Sequence, residues 1–171
     1  MRLFKNAMYL CLLLIVFSLI GCNSTTTKNQ LMTSKPKDFN FVFNYGVNAK
    51  NQLDTIKGQY TKDMVTEPSI TTDLKLSDDE MNTIYSEMKK INILIYPESF
   101  NPKSYTQQTP FDTYSIKIIS DGKEKNISWK DENVSDAKDA VQLRGLFKKI
   151  QEIIINKEEF KKLPEPKSNY S

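Results

Sequence analysis

Phe39, Phe41, Phe43, Tyr45 and Val47 alternate with Asn40, Val42, Asn44 and Gly46. Period-two spacing with aromatic content predicts a strand whose outer face is mostly polar. Such alternation suits an antiparallel sheet covered on one side only. A second strand is expected over 54–62, where Ile56, Gly58 and Tyr60 share a face, with 48–52 as the joining turn. A third is expected through Ile70, Thr72, Leu74 and Leu76, after a turn at 66–69.

The periodicity then changes. Ser77 followed by Glu80 has the spacing of a capping box, and Leu76 and Met81 can act as its hydrophobic staple. Met81, Ile84, Tyr85, Met88 and Ile91 recur at helical spacing, which predicts an amphipathic helix over 78–91. Capping explains the acidic run 78–80 without a metal. Residues 113–130 read as a hairpin. Tyr114, Ile116 and Ile118 alternate, Asp121-Gly122 supplies the turn, and Ile127 and Trp129 alternate on the return. A last helix is expected over 136–155, with Ala140, Leu143, Phe147, Ile150 and Ile154 on one stripe. Gly145 within it suggests a close approach to the sheet.

The order β-β-β-α-β-β-α predicts an α+β fold, an antiparallel sheet of about five strands with two amphipathic helices packed on one face. A single globular domain is expected over 38–165, followed by a frayed tail at 166–171.

Between helix and hairpin, residues 96–113 contain three prolines and four spread aromatics, Tyr96, Phe100, Tyr105 and Phe111. A structureless connection of that length is uncommon in a compact domain. These four residues form the candidate partner or ligand loop; the competing reading is a packed connection that covers the sheet edge. Residues 131–136 place oxygen ligands as a calcium loop begins. Asp136 stands where the turn glycine belongs and Gln142 where the bidentate Glu belongs, so the loop is rejected and capping of the next helix is expected instead.

The N-terminus follows a different pattern. Arg2 and Lys5 precede an apolar run of 14 residues, Ala7 to Ile20. As a helix that run reaches about 21 Å, short of a hydrocarbon core of roughly 30 Å. Charged-then-apolar order is that of a secretory signal. Leu19-Ile20-Gly21-Cys22 resembles the lipobox of bacterial lipoproteins. The resemblance implies that residues 1–21 are a cleaved signal and that Cys22 takes a diacylglycerol-type anchor and a fatty acid such as palmitate. The mature part is also similar to uncharacterised small lipoproteins of Gram-positive bacteria. The chain would then sit on the cell membrane, facing away from the cytoplasm. Residues 22–37, polar and small, read as a flexible tether. Cys11 would leave with the signal, so no intramolecular disulfide is expected.

Composition narrows the chemistry. Lys and Arg total 24 against 21 Asp and Glu, and only Arg2 and Arg144 are arginines. Losing the signal would bring the net charge close to +1, which argues against nucleic acid as a partner. Histidine is absent, so no Ser-His-Asp or Cys-His arrangement can form. No catalytic residue, metal or cofactor is assigned. The function expected is a non-enzymatic binding or accessory module for a protein or envelope component. An inhibitor or immunity-type protein masking a partner is the alternative, and a carboxylate or Ser-Lys enzyme the third reading.

Overall fold

A computed structural model describes residues 34–103, 106–133 and 135–170. The signal, Cys22, most of the tether and Tyr105 lie outside the described residues. Six strands form one sheet: β1 (Asn40–Tyr45), β2 (Asn51–Asp54), β3 (Gln59–Met64), β4 (Glu67–Asp73), β5 (Thr113–Ser120) and β6 (Lys123–Lys130). Their order is β4-β3-β2-β1-β5-β6, with every pairing antiparallel. Among the described residues three α-helices accompany it, α1 (Asp78–Lys90), α2 (Lys138–Ile155) and the short α3 (Glu158–Lys161). The fold is α+β, as the alternation and the two amphipathic stripes predict.

The sixth strand is β2, which begins inside the turn expected at 48–52; of the strand expected over 54–62, residues 55–58 form a tight turn and only the part from Gln59 is strand, as β3. Asp54 Oδ1 accepts from the amides of Ile56 and Lys57, and Gly58 takes φ +66°. Ile56 therefore projects from the turn tip, 54% exposed, instead of alternating into the core. The expected turn at 48–52 is a 3₁₀ turn over Val47–Ala49 that leads straight into β2.

One face of the sheet carries the core. Phe39, Phe41, Phe43, Leu53, Tyr60, Tyr114, Ile116, Ile118, Ile127 and Trp129 are all buried. α1 meets it through Tyr85, edge-on to Phe39 at 4.9 Å. α2 meets it through Phe147, whose ring lies 4.9 Å from Phe43 and 4.8 Å from Tyr114. The stripe Ala140, Leu143, Phe147, Ile150 and Ile154 is buried together with Leu146. Gly145, by contrast, is on the exposed side of α2, and a Cβ there would meet nothing within 4 Å. It marks no close approach to the sheet.

The capping box of α1 is formed in both directions: Glu80 N donates to Ser77 Oγ, and Ser77 N donates to Glu80 Oε2. α2 departs from expectation. Its N-cap is Ala137, with no side-chain cap. The polar residues before it are engaged elsewhere, Asp131 by Arg144 and the Ser135 hydroxyl by the Lys103 carbonyl.

Antiparallel pairing puts the start of β1, the β2–β3 turn, the end of β4 and the β5–β6 turn at one end of the sheet. The Asp38 carboxylate joins two of them by accepting from the amides of Asp121 and Gly122, at 3.0 and 2.7 Å. Both turn residues have positive φ, as a two-residue hairpin of matching twist requires. The tether therefore reaches the domain at this pole. Residues 106–112 lie at the opposite one, where Gln108 N donates to the Glu132 carbonyl and Asp131 N to that of Asp112. The tail expected to fray carries contacts instead. The Tyr170 hydroxyl donates to Asp63 Oδ2 at 2.6 Å, Lys167 pairs with Glu67, and Ser168 reaches Thr66. The carboxylates and hydroxyls of β3, β4 and the turn between them give this polar tail partners that its composition alone does not reveal.

Candidate functional site

The helices leave the other sheet face uncovered, and strand register decides what that face presents. Thr71 is opposite Thr61, Thr61 opposite Gln52, Gln52 opposite Asn44, Asn44 opposite Ser115 and Ser115 opposite Ser128. One line across all six strands is thus built of hydroxyls and amides, without a charge. At the usual strand spacing of about 4.8 Å it spans roughly 24 Å. Two internal contacts support it, Thr61 Oγ1 to Thr71 Oγ1 at 2.9 Å and Gln52 Nε2 to Asn44 Oδ1 at 3.4 Å.

The line gains a wall at β6. Residues 98–100 pair with that edge strand in parallel: Ser128 N donates to the Glu98 carbonyl at 2.7 Å and Phe100 N to the Ser128 carbonyl at 2.8 Å. Ser128 Oγ also donates to the Glu98 carbonyl, at 3.0 Å. Glu98 thereby overhangs a shallow groove of about 380 Å³ floored by Val42, Asn44, Ser115, Lys117, Asn126 and Ser128. Its one cation, Lys117, is paired with Glu124 at 2.8 Å. A second depression of about 260 Å³ adjoins it at Ser128, lined by Ser99, Asn101, Thr113, Lys130 and Glu132 among others.

The aromatic loop residues are placed differently from one another. Tyr96 and Phe100 are buried; Phe100 packs edge-on against Trp129 at 5.2 Å, and the Tyr96 hydroxyl donates to the Asp139 carbonyl at 3.0 Å. They join the β6 edge to the start of α2 and present little to solvent. Phe111 is half-buried. The loop contributes Glu98 to the groove and Ser99 to the adjoining depression, two residues that carry no aromatic signal in the sequence.

Two buried polar clusters lie near the distal pole. In one, Tyr45 and Tyr60 share a hydroxyl contact of 2.7 Å, and the Tyr60 hydroxyl also donates to Asn51 Oδ1 at 3.3 Å. Burial pushes Tyr45 up to about 12 and Tyr60 higher. Tyr114, bonded to Asp112 at 2.9 Å, is also pushed up, by burial first and then by that carboxylate. Raised phenols stay protonated at neutral pH and make poor nucleophiles or bases. In the other cluster Arg144 holds Asp131. The remaining buried carboxylates are also occupied, Asp54 by turn amides and Asp63 by Val65 N and Tyr170. Among the described residues no three Cys, Asp or Glu side chains converge as metal ligands would. The geometry on offer is recognition by neutral hydrogen bonds along an open face.

No protein-family model matches the chain, no curated protein resembles it at a significant level, and no solved structure does so either.

Proposed function

We propose that the chain is a lipid-anchored extracytoplasmic protein whose domain is a non-enzymatic binding module, meeting a protein or envelope component through its open sheet face. The uncharged hydroxyl and amide line from Thr71 to Ser128 carries this reading. Donors and acceptors repeat along it at strand spacing, so an extended polar chain lying across the strands could be bonded at each step. Such a surface discriminates by hydrogen-bond register and attracts no partner by charge.

The anchor reading rests on Leu19-Ile20-Gly21-Cys22. No helix among the described residues is long and apolar enough to cross a membrane, which is compatible with an acyl anchor. Masking of a partner by the 96–113 loop finds less support, because Tyr96 and Phe100 are turned inward.

The test places a photoreactive amino acid at Asn44 or Ser115 of the full chain in its native membrane, with Ser86 on the exposed side of α1 as control. A recurrent adduct from the sheet positions and not from Ser86 is the expected result. Indiscriminate adducts, or none, would remove the sheet face as the contact surface.

A further inference from the structure

We infer that the open sheet face binds a neutral, hydroxyl-rich polysaccharide, laid across the strands with one end in the groove beneath Glu98. The inference rests on the reading of that face as the contact surface and adds to it the chemical class of the ligand.

The groove gathers polar side chains that the fold does not use. The Glu98 carboxylate, the Ser115 hydroxyl and the Asn126 amide line it, and none of the three side chains bonds to another described residue. Asn44 Oδ1 accepts from Gln52, and the Asn44 amide hydrogens are unused. Thr61 and Thr71 bond to one another further along the line, which leaves lone pairs on both oxygens. The set mixes donors with acceptors and is held in place by strand register.

Charge narrows the ligand. The one cation in the groove, Lys117, is neutralised by Glu124. Glu98 is the charge left over. The adjacent line across the sheet runs from Asp73 through Gln59, Asp54, Val42 and Lys117 to Asn126, and Asp73 is exposed at its far end. A phosphate, a uronic acid or an acidic peptide would therefore meet acid without free base. A cationic ligand would gain little from single carboxylates open to solvent. Neutral ligands remain.

Period and edge then separate a polysaccharide from a peptide. An extended peptide turns side chains to one side every 6.7 Å or so, and its backbone groups call for a sheet edge. The edge beside this groove, β6 at Ser128, is already filled by residues 98–100. From Ser128 to Thr71 the polar side chains recur instead at the strand spacing of about 4.8 Å. An extended chain of pyranose rings advances by close to that distance per ring. Each ring offers hydroxyls, donor and acceptor at once, and Ser, Thr, Asn and Gln answer with the same dual character. Val42, half-buried on the groove floor, gives the C–H face of a ring an apolar contact.

The experiment uses the full chain in phosphatidylcholine vesicles, with protein-free vesicles as blank, and reads saturation transfer to sugar protons by NMR. The probes are chitohexaose, cellohexaose and maltohexaose, the corresponding trioses, anionic hexagalacturonate and a neutral Ser/Asn decapeptide. A saturable signal from a neutral hexaose is expected, with its triose about tenfold weaker and none from hexagalacturonate or the peptide. Ser115→Ala and Asn126→Ala should each weaken binding by about three- to tenfold, as loss of a neutral hydrogen bond does. Thr71→Ala should weaken the hexaose and leave the triose unchanged, and Ser86→Ala on α1 should change neither. Silence from all three hexaoses, a preference for hexagalacturonate, or binding that ignores both groove substitutions overturns the polysaccharide. If a photoreactive residue at Asn44 then still yields a recurrent adduct, the sheet face stands as the contact surface and only this ligand falls. Without that adduct the sheet-face reading falls too.

Discussion

Arg144 grips Asp131 with two contacts of 2.8 Å, Nε to Oδ2 and Nη2 to Oδ1, while its guanidinium carbon lies 5.0 Å from the Trp129 ring centre. Asp131 is 3% exposed. This arginine joins α2 to the segment after β6, and it is the only arginine downstream of Arg2 in a lysine-rich chain. A lysine has a single ammonium and no planar face, so it cannot supply both the fork and the stacking.

Arg144→Lys should therefore lower stability by about 1–3 kcal/mol despite keeping the charge, as hydrogen bonds to a buried charged group are lost. Urea unfolding reads this directly. A variant as stable as the parent would show that the fork contributes nothing to the fold.

The two glycines of contrasting surroundings should respond in opposite senses. Gly145 has helical neighbours and open space, so Gly145→Ala should raise stability by roughly 0.5–1 kcal/mol. Gly58 combines φ +66° with the Lys75 stem 2.9 Å from a would-be Cβ. Gly58→Ala should lower stability. Paired thermal melts test both, and a shift in the same direction for the two would contradict the geometry.

Alkaline pH should unfold the domain through its tyrosines. An exposed phenol in the unfolded chain ionises near 10, whereas burial holds Tyr45 protonated up to about 12 and pushes Tyr60 and Tyr114 upward as well. In that interval the folded state keeps protons that the unfolded state has released. Stability is thus complete below pH 10 and falls as pH rises through the folded values. Tyrosinate absorbance from these residues should appear together with loss of circular dichroism, and Tyr45→Phe should make the decline shallower. Ionisation of every tyrosine well before unfolding would argue against their burial.

Cys22→Ala should abolish incorporation of labelled fatty acid, since the thiol is the acceptor that the lipobox resemblance implies. Retained label would locate acylation elsewhere and dissolve the anchor reading.

Local chemistry made several elements legible. Asp121-Gly122 announces the β5–β6 hairpin and Ser77 with Glu80 announces α1, because each signal acts over a few residues. The β2–β3 turn was obscured by accidental alternation, Ile56 occupying the place of a core residue while standing at a turn tip. The neutral line from Thr71 to Ser128 was illegible for a different reason. It depends on the register of strands tens of residues apart, and nothing in the vicinity of Asn44 records that Ser115 will become its neighbour. Gly145 misled in the opposite sense, because a helix glycine on a solvent face leaves the same trace in sequence as one pressed against a sheet.

The place of β1 in the middle of the sheet sets the tempo of assembly. Emerging first from the ribosome, it can pair at once with β2, since Val42 and Asp54 are near in sequence, and β3 and β4 can follow as a meander. Its other edge must wait for β5, where Asn44 finds Ser115 and Asn40 finds Ile119. Until then Phe41 and Phe43 line a half-built sheet with one bare side, and α2, which supplies Phe147, is still unmade. Closure over long sequence separation is slow compared with local pairing. The incomplete chain thus has a built-in interval in which it stays loose, until the late-made β5 and α2 close over its aromatic face.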